Sequence, residues 1–110
     1  MSDSLLKGIT AAALAENQSR EERAQHIAQI IRDRRGYKWV GIFDVDDNEQ
    51  GVLLGEAGQG PSGDHLSIPI LGPETGALMG MLDVESTAEF TEDDEMFVED
   101  CSAALLALYD

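Results

Sequence analysis

At Gly36 the spacing of apolar residues switches from a helical period to a strand period, and no other feature of this sequence constrains its fold as much. Before the switch, Leu5, Leu6, Ile9, Ala12 and Ala13, then Ala24, Ile27, Ile30 and Ile31, recur at helical spacing. Between the two sets, Ser19-Arg20-Glu21-Glu22 forms a capping box: the serine hydroxyl accepts from the amide three residues on, and the glutamate returns to the serine amide. Helices are expected over residues 5–16 and 20–35. The second closes with Arg32, Arg34 and Arg35 at the negative end of its dipole and Gly36 as its stop.

After the switch, residues 37–45 are rich in aromatic and branched side chains and predict a strand, with a turn at 46–51 and its hairpin partner at 52–57. A flexible Gly-rich loop at 58–63 follows, and then strands at 66–71 and 77–85 around Gly72-Pro-Glu-Thr-Gly76. Thr91 is the N-cap of a last helix, with Glu92, Asp93 and Asp94 in its positive first turn. Phe97, Cys101, Ala104, Leu105 and Leu108 make one stripe on it, widened by Met96, Val98, Leu106 and Tyr109. So wide an apolar face needs two partners, the sheet and another helix. The expected fold is α+β: one domain over residues 1–110, with a helical segment at 1–36 and an antiparallel sheet of about four strands plus a C-terminal helix at 37–110. The helices should pack on one face of the sheet.

Charge and cysteine content narrow the chemistry. Of the net charge of −15, the residues before Trp39 carry seven bases and five acids, a balance of +2, and everything from Trp39 onward carries 17 acids and no base. Such a surface repels phosphate, so nucleic acid and anionic membrane are excluded as partners. Abundant Asp and Glu with little Lys also suits a high-salt habitat. Cys101 is the only cysteine, which removes an intramolecular disulfide, Cys-pair metal sites and Cys-pair redox chemistry. No apolar run is long enough to span a bilayer and the start lacks a leader pattern, so the expected location is the cytoplasm.

In the second hairpin, pairing Leu71 with Ala77 across the loop separates two faces. Leu66, Ile68, Ile70, Leu78, Gly80, Leu82 and Val84 form an apolar face for the helices. His65, Ser67, Pro69, Leu71, Ala77, Met79, Met81, Asp83 and Glu85 form a mixed one. This register sets His65 opposite Asp83, with Glu85 one step along on the same side. These three residues are the candidate ligand-binding group.

Ser67-Ile-Pro-Ile-Leu, Gly-Ala-Leu-Met-Gly-Met-Leu-Asp-Val-Glu-Ser ending at Ser86, and Phe90-Thr-Glu-Asp-Asp-Glu-Met-Phe97 together resemble the C-terminal half of a GAF domain. Lys38-Trp-Val-Gly-Ile-Phe43 further resembles the first strand of the free methionine-(R)-sulfoxide reductase subgroup. The resemblance implies a GAF-like, PAS-like sheet, terminal helices on its back and often a homodimer through those helices. It also implies that Asp83, Glu85 and His65 stand where the reductases hold their substrate's amino group. The chain departs from the family between the second and third strands. Only residues 58–64 stand where relatives carry the roof of a ligand pocket and the reductases carry their catalytic cysteines. The resulting expectation is a minimal, stand-alone, non-catalytic module for dimerisation or protein contact, with no catalytic residue, no cofactor and no metal centre, and with small-ligand sensing as an added role. One alternative is a sensor of an amine, an amino acid or a metal ion through His65, Asp83 and Glu85; a remoter one is a divergent methionine sulfoxide reductase.

Other acidic clusters have structural causes. Asp44, Asp46 and Asn48 resemble the start of a calcium loop, but the positions needing Gly and Glu hold Glu49 and Gly55, which favours a turn. Cys101 falls on the apolar stripe of a helix, where burial silences a thiol. His26 falls at the rim of its helix, and Tyr37 and Trp39 are assigned to sheet packing.

Overall fold

Each capped helix starts where its cap places it in the computed structural model, which describes residues 3–46, 48, 50–60 and 65–109. Ahead of α2 (Arg20–Arg35), the Glu22 amide donates to Ser19 Oγ at 3.1 Å and the Ser19 amide to Glu22 Oε1 at 3.2 Å. Gly36 ends α2 with φ of 66°, its amide bonded to the Arg32 carbonyl at 2.7 Å. Ahead of α3 (Glu92–Ala104), the Asp94 amide donates to Thr91 Oγ1 at 3.2 Å and the Thr91 amide to Asp94 Oδ2 at 2.9 Å. The chain then tightens into a 3₁₀-helix, Leu105–Tyr109. Helix α1 (Asp3–Ala13) stops three residues short of the expected Glu16, where Arg23 Nη1 donates to the Ala13 carbonyl at 2.6 Å and closes its end.

Four antiparallel strands, β1 (Trp39–Val45), β2 (Gly51–Gly58), β3 (Leu66–Leu71) and β4 (Leu78–Glu85), stand in the order β2-β1-β4-β3. The two hairpins therefore join through β1 and β4. All helices lie on one face: α2 across β1 and β2, α3 across β3 and β4, and α1 against both helices. Backbone approach is close enough to require glycine. A Cβ on Gly55 would come within 2.4 Å of the Gln25 backbone nitrogen, and one on Gly80 within 2.2 Å of the Phe43 carbonyl oxygen. Val40, Ile42, Leu82, Val84 and Ile70 from the sheet meet Ile9, Ile27, Ile31, Phe97, Leu105 and Leu108 from the helices, each at most 1% exposed. Burial of such a side chain contributes roughly 1.5–3 kcal/mol. The wide face of α3 does have two partners, the sheet and α1, while Met96 points outward at 63% exposure.

The strand ladders differ from the expected register. Ser67 pairs with Asp83 and Ile68 with Leu82, a two-residue shift from the pairing drawn from Leu71 and Ala77. A shift by two keeps every residue on its face. It moves His65 off the rung of Asp83 and makes their contact diagonal. The shift ends in a bulge, because Ile70 pairs with Gly80 and Leu71 with Leu78, leaving Met79 as the extra residue. Met79 thus packs against the core and Leu78 is 44% exposed, the reverse of the expectation for both. A second bulge leaves Leu54 extra between Ile42↔Gly55 and Phe43↔Leu53. Tyr37, expected in β1, precedes it and packs between Phe90 and Phe97, with ring centroids 6.3 and 6.2 Å away.

Candidate functional site

The sheet face opposite the helices is built in three rows. Strand alternation places Trp39, Gly41 and Phe43 on it, and the ladders extend each across the neighbours. The row of Trp39 includes Glu85; that of Gly41 includes Glu56, Asp83 and Ser67; that of Phe43 includes Leu53, Met81 and Pro69. Trp39 is 1% exposed, its ring lying where a Cβ on Gly41 would strike it at 2.4 Å. Its Nε1 donates to Glu56 Oε1 at 2.9 Å, and Phe43 meets the indole edge-on with centroids 6.3 Å apart. Gly60 covers the end of this row, since a Cβ there would come within 2.9 Å of Trp39 Cβ and 3.2 Å of Glu85 Oε2.

The structure places the three predicted residues at this end of the sheet. His65 Nε2 lies 3.7 Å from Asp83 Oδ2, longer than a hydrogen bond and an ion pair only when the imidazole is protonated. Glu85 is buried, with Oε1 3.4 Å from Lys38 Nζ. Asp83 Oδ1 is also buried and finds no hydrogen-bond donor among the described residues. An orphaned buried acceptor costs about 1–3 kcal/mol, which a donor from a bound group would recover. Among the described residues no three His, Cys, Asp or Glu side chains are placed to hold a metal ion. Sequence reasoning missed Lys38 and Glu56 here. Pairing of β1 with β4, which brings Lys38 to Glu85, is a long-range choice with no local signal. Of the loop expected at 58–63, residues 61–63 lie outside the described residues.

The remaining candidates fall where structural causes put them. Asp46 Oδ1 accepts from the amides of Asn48 and Gln50, both at 2.9 Å, an Asx turn that accounts for its place in the β1–β2 connection. Asp47 and Glu49 lie outside the described residues. Cys101 has no exposed surface, and burial first, with the Asp100 charge second, pushes its thiol up to about 12 against an opposing effect from Arg35. A cleft of about 230 Å³ opens away from the predicted corner, between Arg35, Asp93, Met96, Phe97 and Asp100. Its Arg35 stacks on Phe97 at 4.6 Å and already bonds Asp94 Oδ1 and the Asp93 carbonyl. His26 is exposed on α2.

No family profile and no curated protein matches the chain. Solved structures do. The GAF domain of an Acinetobacter phosphoenolpyruvate-protein phosphotransferase superposes with a TM-score of 0.76 at 16% identity, over 99% of this chain and 94% of that one. This chain has the GAF fold. A free methionine-R-sulfoxide reductase from Neisseria meningitidis, solved with its substrate, gives a TM-score of 0.75 at 18% identity over 99% of this chain and 92% of that one. A protein described as a GAF sensor, from Burkholderia vietnamiensis, gives 0.75 at 14% identity over 94% and 89%. These GAF-fold neighbours thus include both a sensor and an enzyme. Among the described residues no helix is long and apolar enough to cross a membrane.

Proposed function

We propose that this chain is a non-catalytic GAF-fold signalling module that acts in the cytoplasm by homodimerisation through its terminal helices or by protein contact. One observation supports the absence of thiol catalysis in this reading: the sole thiol, Cys101, is wholly buried, which keeps it protonated, whereas a thiol enzyme requires an exposed thiolate. Light scattering should give a dimer mass without added ligand, and the protein should leave methionine sulfoxide unconsumed in the presence of dithiothreitol. A strict monomer would count against dimerisation. Turnover of the sulfoxide would overturn the non-catalytic reading.

A second reading, sensing of a small amine or amino acid at His65, Asp83 and Glu85, is favoured by the orphaned Asp83 Oδ1. Ammonium donors match it in charge and hydrogen-bonding type. A thermal shift with methylamine or free amino acids that disappears in Asp83→Asn supports this reading. No shift in the wild-type protein removes it.

A further inference from the structure

The row of Phe43 is apolar across all four strands, from Leu53 through Phe43 and Met81 to Pro69, and the bulge in β4 brings Leu78 and Leu71 to the same end. Leu53, Leu71 and Leu78 are 42%, 49% and 44% exposed. Single exposed leucines need no explanation, but a contiguous apolar patch rimmed by polar groups marks a contact surface. The next row holds Glu56 and Asp83, and Asp46 and Glu74 stand exposed in the two connections at the patch's other border. No Lys or Arg occurs anywhere after Lys38.

We propose that this face docks an amphipathic helical segment of another protein, one that sets apolar side chains on the Phe43 row and Lys or Arg on the Glu56 and Asp83 row. Charge decides between occupants. A second copy applied to the same face would add carboxylates to carboxylates in a molecule of net charge −15, and Lys38, the cation beside that face, is already set against Glu85. A basic segment brings cations for the row of Glu56 and Asp83. Spacing also fits. Rows on one sheet face lie about 6.8 Å apart along a strand, and residues four apart on a helix rise about 6 Å, so an apolar anchor and a cation one turn away reach adjacent rows. The proposal extends the interaction-module reading to a surface separate from the terminal helices, so a monomer in light scattering leaves it standing.

The test is fluorescence anisotropy with a labelled synthetic amphipathic helix of leucine and lysine, against a scrambled peptide of the same composition. The amphipathic peptide should bind at least about tenfold tighter than the scrambled one. Leu53→Gln with Leu78→Gln should lose about tenfold, while Met96→Gln, on exposed α3 surface, changes little. Both leucines are exposed, so the double variant should keep the wild-type circular dichroism and Trp39 emission. Absence of binding, equal binding of the scrambled peptide, or unchanged binding by the double variant overturns the proposal. So does a homodimer that the double variant dissociates, because a second copy would then cover the face.

Discussion

Asp94 does more than cap a helix. Its Oδ2 accepts from the Thr91 amide at 2.9 Å and its Oδ1 accepts from the Tyr37 hydroxyl at 3.0 Å, while Arg35 Nη1 stands 3.5 Å away. One carboxylate thereby ties the start of α3 to the end of α2 and the segment entering β1. The Thr91 amide chiefly, with help from the Tyr37 and Thr91 hydroxyls and Arg35, holds this carboxyl below its usual value against the opposing effect of burial. A depressed carboxylate stabilises the fold above the unfolded pKa of about 4, and that contribution is lost as pH falls through the lower folded value. Tyr37 runs the other way: burial first, then its bond to Asp94, push the phenol above its usual range. Its contribution is full below pH about 10 and is lost as pH rises through the folded value. Asp94→Asn should therefore cost about 1 kcal/mol in urea denaturation at pH 7 and less at about pH 3, below the unfolded pKa, where part of the carboxylate's contribution is already lost. An equal cost at both values would show that the carboxylate charge contributes nothing.

At the scale of elements, two glycines make opposite predictions. Gly55 in β2 faces the α2 backbone, where an added Cβ would sit 2.4 Å from Gln25 N and 2.7 Å from Ala24 C. Backbone cannot yield as a side chain does, so Gly55→Ala should destabilise by roughly 1–3 kcal/mol. Gly8 lies in α1 with nothing within 4 Å of its added Cβ. Gly8→Ala should stabilise by about 0.5–1 kcal/mol through helix propensity and unfolded-state entropy. Thermal melts of the pair check both signs, and a stabilised Gly55→Ala would contradict the close packing of α2 on β2. Caps and periodicity made the helices legible because Ser19, Thr91 and Gly36 act on their immediate neighbours. The four strands and their two hairpins were legible, but the strand order and exact register were not. The bulges at Leu54 and Met79 and the central β1–β4 pairing depend on contacts between residues far apart in sequence. That is why the grouping of His65, Asp83 and Glu85 could be read from strand alternation, since a two-residue shift preserves faces. The diagonal geometry, and the presence of Lys38 and Glu56 beside the group, could not.

Across the whole molecule, charge divides the chain into unequal halves that the fold presses together. Arg20 pairs with Asp44, Arg35 with Asp94 and Lys38 with Glu85, so each of these bridges joins the segment ending at Lys38 to the acidic remainder. Partly exposed pairs contribute about 0–1 kcal/mol each and weaken as salt rises. Against them stands the mutual repulsion of a net charge of −15 within extents of 33 × 32 × 25 Å. At 0.01 M salt the Debye length of about 30 Å matches those extents, so every carboxylate is felt by the others; at 1 M it is about 3 Å and only contact pairs remain. Repulsion summed over the surface falls more than the three attractions do, and unfolding relieves it by spreading the charges apart. The melting temperature should therefore rise with sodium chloride between about 0.01 and 1 M, most steeply over the lower part of that range, where the Debye length contracts most. A melting temperature that is flat or falls over that range would mean that the bridges between the two halves, and not the excess of carboxylates, dominate the electrostatics of the fold.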